Sequence, residues 1–117
     1  MENESSVLNI KEKSIADNII IGNIGKFNYF EKESNESYNS FFFEGNVKPY
    51  MDKYISKIRF RIGYSGGERH TVYKISCGEV ELLVTQRDKK DITQLTIFGD
   101  SFGMIKEVLS HLEEAFK

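Results

Sequence analysis

A chain of 117 residues with a net charge of −2, 39% hydrophobic and 29% charged residues supports one globular domain with its own core. No run approaches the roughly 18 continuous apolar residues of a membrane span, and the single cysteine, Cys77, excludes an internal disulfide. Met1-Glu2-Asn3-Glu4 lacks the cationic start and apolar run of a secretory signal, so a soluble, cytoplasmic protein without a membrane role is expected.

Residues 1–15 are polar apart from Val7, Leu8 and Ile10, and read as a flexible N-terminal tail or an edge element. Residues 16–117 form the single domain. Ile19-Ile20-Ile21 before Gly22 reads as a short buried strand. Lys26 to Glu31 and Tyr38 to Glu44 are aromatic strands joined by the polar turn Ser34-Asn35-Glu36-Ser37. Phe41-Phe42-Phe43 breaks the alternation, which requires either two covered faces or one exposed ring. Gly45 to Asp52, with the lone proline Pro49, reads as a loop.

From Ile55 to Tyr64 the alternation is clear, with Ile58, Phe60 and Ile62 on one face and Lys57, Arg59 and Arg61 on the other. Ser65-Gly66-Gly67-Glu68 is a hairpin signal because glycine supplies the positive φ that tight turns need. Strands follow at about His70–Ser76, Glu79–Gln86 and Ile92–Phe98, separated by Cys77-Gly78 and by the charged run Arg87 to Asp91. Asp100 or Ser101 then caps a helix whose Phe102, Ile105, Val108, Leu109, Leu112 and Phe116 share one face. Met104, His111 and Ala115 flank that stripe and widen it. Hairpin-length links without intervening helices favour antiparallel pairing. The fold class expected is α+β, an antiparallel β-sheet or partly closed barrel of about six strands followed by one C-terminal amphipathic helix.

Catalytic motifs dissolve on inspection. Gly63-Tyr64-Ser65-Gly66-Gly67 fits the G-x-S-x-G nucleophile elbow, but that elbow needs strand, turn and helix, and here a strand follows. Phe98-Gly99-Asp100-Ser101 resembles the first block of Gly-Asp-Ser esterases; those enzymes need a downstream Asp-x-x-His, which is lacking, and a helix N-cap accounts for the residues. His70, His111 and Cys77 have no metal-ligand spacing, and the carboxylates are scattered. No catalytic residue, metal or cofactor is assigned, and a non-enzymatic protein is expected.

The informative feature is charge. Residues 48–90 carry 10 basic and 5 acidic groups between two acidic segments. Lys57, Arg59 and Arg61 project from one strand, and Arg69 and Lys74 add to them across the hairpin. Tyr73, Tyr64 and either Phe41 or Phe43 are nearby rings. Cations follow phosphates and exposed rings stack on unpaired bases, which is what a single-stranded nucleic-acid platform requires. A solvated face whose charges deter aggregation explains the same residues.

The segment Leu95 to Ala115, with Phe102, Ile105-Lys106-Glu107 and Glu113-Glu114-Ala115, resembles the last strand and helix of the positive-cofactor-four family of single-stranded-DNA-binding coactivators. Pur-alpha and Whirly domains share the theme of a curved antiparallel sheet followed by a helix. The resemblance implies a sheet that binds the strand and a helix that pairs subunits, here a homodimer through Met104, Val108, His111 and Ala115. The competing expectations are a pleckstrin-homology-like module with a protein partner, and a small inhibitor or sequestering protein carried by a mobile element.

Overall fold

The computed structural model describes residues 10–54, 59–65 and 67–116, with side chains from Asp17 onward except at residues 59–61, 64 and 65. Helix α1 (Ile10–Asn23) leads into β1 (Asn28–Ser34) and β2 (Tyr38–Glu44). The short α2 (Lys48–Asp52) precedes β3 (Arg59–Ser65), β4 (Glu68–Cys77), β5 (Val80–Arg87) and β6 (Ile92–Phe98), and α3 (Phe102–Ala115) follows. All neighbouring strands are antiparallel, in the order β1-β2-β6-β5-β4-β3. The two edge strands have one neighbour each, so the sheet is open. The expected α+β architecture of six antiparallel strands and a C-terminal helix is the one observed.

Two elements differ from the reading of the sequence. The stretch including Ile19-Ile20-Ile21 is the C-terminal half of α1, not a strand, and residues 10–15 belong to the same helix rather than to a flexible tail. Residues 1–9 lie outside the described residues. Ile20, in the last turns of α1, and Ile24, just beyond its end, are both buried, and the run Ile19-Ile20-Ile21 hides any helical stripe in the sequence. The loop around Pro49 contains α2, with proline in the first turn where its missing N–H costs nothing.

Alternation decides what is buried. Phe41 and Phe43 of β2, Leu95 and Ile97 of β6, Val80, Leu82 and Val84 of β5, and Tyr73 and Ile75 of β4 point to one face. α3 covers them with Ile105, Val108, Leu109, Leu112 and Ala115, joined by Ile20 of α1 and Ile24 just after it. The triple phenylalanine resolves as two core rings and a half-buried Phe42 on the other face. Ser101 occupies the N-cap of α3, yet its hydroxyl makes no capping bond; its carbonyl accepts from Ile105 N at 2.9 Å.

Turn chemistry fixes the register. Asn35 Oδ1 accepts from the backbone N–H groups of Ser37 and Tyr38, closing the β1–β2 hairpin. β3 ends at Ser65 and β4 begins at Glu68, so the G-x-S-x-G segment is strand–turn–strand. Between β2 and β3 the chain crosses to the far edge of the sheet by way of α2, which is held from three sides. Val47 N donates to Gln86 Oε1 at 2.8 Å, Tyr73 OH donates to Asp52 at 2.7 Å, and Lys48 Nζ lies 3.5 Å from Thr71 Oγ1. At the start of this crossover the Phe27 ring lies against Gly45, and a Cβ there would sit 2.4 Å from it.

Candidate ligand-binding face

With the helices on one side, the opposite face of the sheet carries none of the described helices. The strand register arranges its residues in transverse rows. One row runs Arg59, Lys74, Leu83, Thr96, Ser40, Glu33. The next runs Arg61, Val72, Thr85, Gln94, Phe42, Glu31. Flanking rows hold Ser76, Glu81, Phe98 and Tyr38 on one side, and Gly63, His70 and Arg87 on the other.

The face is graded along these rows. The β3–β5 end carries the register positions of Arg59 and Arg61 with Lys74, His70 and Arg87. Rings occupy the middle and far strands. Tyr38 and Phe98 pair at 5.4 Å between centroids, and Phe42 packs on Phe30 at 6.3 Å. Phe30 is 48% exposed on the edge strand. Glu31, Glu33 and Glu44 make the β1–β2 end acidic. Lys74 pairs with Glu81 at 2.9 Å and Arg87 with Glu68 at 3.5 Å. These pairs are solvent-accessible, contribute little to stability and leave the cations free to exchange partners.

Between Val72, Leu83 and Thr85 lies a groove of about 240 Å³, rimmed by Glu68, His70, Arg87 and Gln94. His70 lies against Gly63 on the adjacent strand, and a Cβ at Gly63 would come within 2.8 Å of its Nε2. The absence of a side chain there is what lets the imidazole lie across β3. A second cleft of about 480 Å³ opens between α1, the β1–β2 turn and the start of α3, lined by Asp17, Glu36 and Asp100 among others.

The sequence-derived site residues divide between the faces. Lys74 lies on the open face, and the register sets Arg59 and Arg61 on its rows; Lys57 lies outside the described residues. Tyr73 does not: it is fully buried on the helix-covered face, and its hydroxyl is bound to Asp52. Burial first, then the Asp52 hydrogen bond and the Asp52 and Asp88 charges, hold its phenol well above the ordinary range. A ring in that position cannot stack on a base. Arg69 shares Tyr73's parity and is turned away from Lys74, pairing with Asp88 at 3.0 Å. Phe41 and Phe43 are likewise core rings, while Tyr38, Phe42 and Phe98 supply the open face. Strand parity carried this signal, since 69 and 73 are odd and 74 is even.

The dimer residues divide in the same way. Val108 and Ala115 are fully buried within the chain and unavailable to a partner. Met104 is half-buried, and His111 is exposed beside Glu107 at 3.6 Å. Among the described residues no cluster of three His, Cys, Asp or Glu could hold a metal ion, and no helix is long and apolar enough to cross a membrane.

No protein-family model matches the chain, and no curated protein is significantly similar to it. Among solved structures, the crystal structure of a GTP binding regulator from Thermotoga maritima is similar, covering 90% of this chain and 89% of its own at 8% identity, with a TM-score of 0.34. A likeness at that level bears no weight in the reading of function.

Proposed function

We propose that this chain is a non-enzymatic, cytoplasmic binding module that holds single-stranded nucleic acid on the open face of its sheet. One observation supports the reading: the uncovered face joins cationic positions at its β3–β5 end, Arg59, Arg61 and Lys74, to the Phe42 ring on the Arg61 row and to the Phe98 and Tyr38 rings on the row beside that of Lys74. Phosphates would follow the cations while bases stack on the rings. The acidic Glu31, Glu33 and Glu44 would repel a backbone from β1 and the Glu44 end of β2 and confine the footprint to the rest of β2 and to β6, β5, β4 and β3. The described strands form an open sheet rather than a closed barrel.

Titration of a labelled twelve-nucleotide oligothymidine at two salt concentrations tests the proposal. Arg59→Ala with Arg61→Ala should weaken binding and reduce the slope of log affinity against log salt by about 1.4, at ~0.7 per phosphate contact. Binding that is absent, or that ignores both arginines, refutes it. A specific feature favours a second reading, an inhibitor that meets a basic protein partner. β1 is exposed along its whole length, with Phe30, Glu31 and Glu33 on its surface. That reading gains if oligonucleotides fail and a basic protein from the host is retained through Glu31 and Glu33.

A further inference from the structure

The groove on the open face holds a group that phosphate binding does not explain. Glu68 places a carboxylate, one-quarter exposed, in the cationic half of the face, 3.5 Å from the Arg87 guanidinium. A carboxylate there repels phosphate, so a nucleic-acid ligand must bring hydrogen-bond donors to it. The groove floor is apolar at Val72 and Leu83, and the His70 ring is held on one side by the lack of a side chain at Gly63. At about 240 Å³ the space suits one flat heterocycle rather than a drug-sized ligand, whose pockets run roughly 300–1,000 Å³.

We infer that this groove is a base-reading subsite for an unpaired guanine. The inference rests on the proposed nucleic-acid reading and deepens it. Guanine is the base whose Watson–Crick edge sets two adjacent donors, N1–H and the N2 amino group, beside an acceptor, O6. A carboxylate accepts from both donors at once, and a neighbouring guanidinium donates to O6, so Glu68 and Arg87 together match that edge. Adenine and cytosine present one amino donor each, and thymine presents an imino group between two acceptors. The apolar floor would take the base plane, with the His70 ring against it, as aromatic side chains take unstacked bases in single-strand readers. The Glu68–Arg87 contact in the free protein then serves to keep both groups paired until the base displaces them from one another.

The test compares twelve-nucleotide oligothymidines that are uniform or carry one central guanine, adenine, cytosine or hypoxanthine. Guanine should bind about tenfold more tightly than adenine, with hypoxanthine, which lacks the N2 amino group, falling between them. Glu68→Gln, and separately Arg87→Gln, should bring guanine and adenine to within about twofold of each other, each variant being compared with its own binding of uniform oligothymidine. The readout is a ratio between ligands on one protein, so a small loss of stability does not imitate it. Equal binding of guanine and adenine, with oligothymidine still bound through Arg59 and Arg61, overturns the guanine subsite and leaves the platform standing. Failure of every oligonucleotide overturns both.

Discussion

Tyr73 and Gln86 show how single polar side chains anchor the crossover between the two halves of the sheet. The Tyr73 phenol stays protonated in the folded protein at pH values where a free tyrosine, near pH 10, ionises. The unfolded chain therefore binds fewer protons than the native one above about pH 10, and stability falls as pH rises past that point. Tyr73→Phe should cost about 1 kcal/mol at pH 7, because exposed Asp52 regains water in place of its hydrogen bond. It should also lose less stability between pH 9 and 11 than the parent. Urea midpoints across that range measure both effects, and parallel pH profiles would refute the assignment. Gln86 is fully buried and satisfied at both ends: Oε1 accepts from Val47 N and the Thr93 hydroxyl, and Nε2 donates to the Arg87 and Lys90 carbonyls. Gln86→Leu removes four hydrogen bonds and leaves the Val47 N–H beside an apolar side chain, although Thr93 keeps Gly45 O and the Lys90 carbonyl keeps Ile92 N, and a loss of about 2–4 kcal/mol in denaturant unfolding is expected.

At the scale of elements, edge strand β1 carries its own protection. Lys32 points toward the helix-covered side, pairs with Asp17 of α1 at 2.6 Å, and lies over the Phe41 ring at 5.5 Å. A charge directed inward at an edge makes addition of a further strand costly. Two copies of β1 paired about residue 31, 32 or 33 would also set Glu31 or Glu33 against a like charge. Lys32→Ile removes the first barrier and leaves Tyr29 and Phe30 exposed, so light scattering should rise with concentration where the parent remains flat. A variant that stays as dispersed as the parent would refute this role. The elements most legible in the sequence, β5, β6 and α3, each bury one face against a single layer, so their periods of 2.0 and 3.6 survive intact. α1 was illegible for the converse reason. Its three consecutive β-branched isoleucines interrupt any helical period and mimic a strand. For α2 the signal existed, a proline in the first turn, but five residues are too few to show a period.

The molecule as a whole puts its helix-covered core on one side of a single sheet and the proposed binding face on the other. The cationic positions of the candidate face were legible because Arg59 and Arg61 alternate within β3. Its rings were not, because parity along β4 and β2 depends on register, and register is fixed by turns and partners distant in sequence. Hence Tyr73 and one of Phe41 and Phe43 were expected outside and all three lie inside, while Phe98 and Tyr38 meet across strands 60 residues apart.

The order β1-β2-β6-β5-β4-β3 places the last strand to be synthesised between the first hairpin and the rest of the sheet. Until β6 emerges from the ribosome, the N-terminal hairpin has no neighbour on its inner edge, and the two portions of chain cannot share a ladder. The join between α2 and β3 is thus a natural place to divide the gene. Two polypeptides, one ending after Asp52 and the other starting just before Arg59, should each be poorly ordered alone and reassemble on mixing through β2 and β6. Recovery of the parent's circular dichroism at equimolar ratio would register that reassembly, and its absence would mean that the crossover itself, rather than the ladder, holds the halves together.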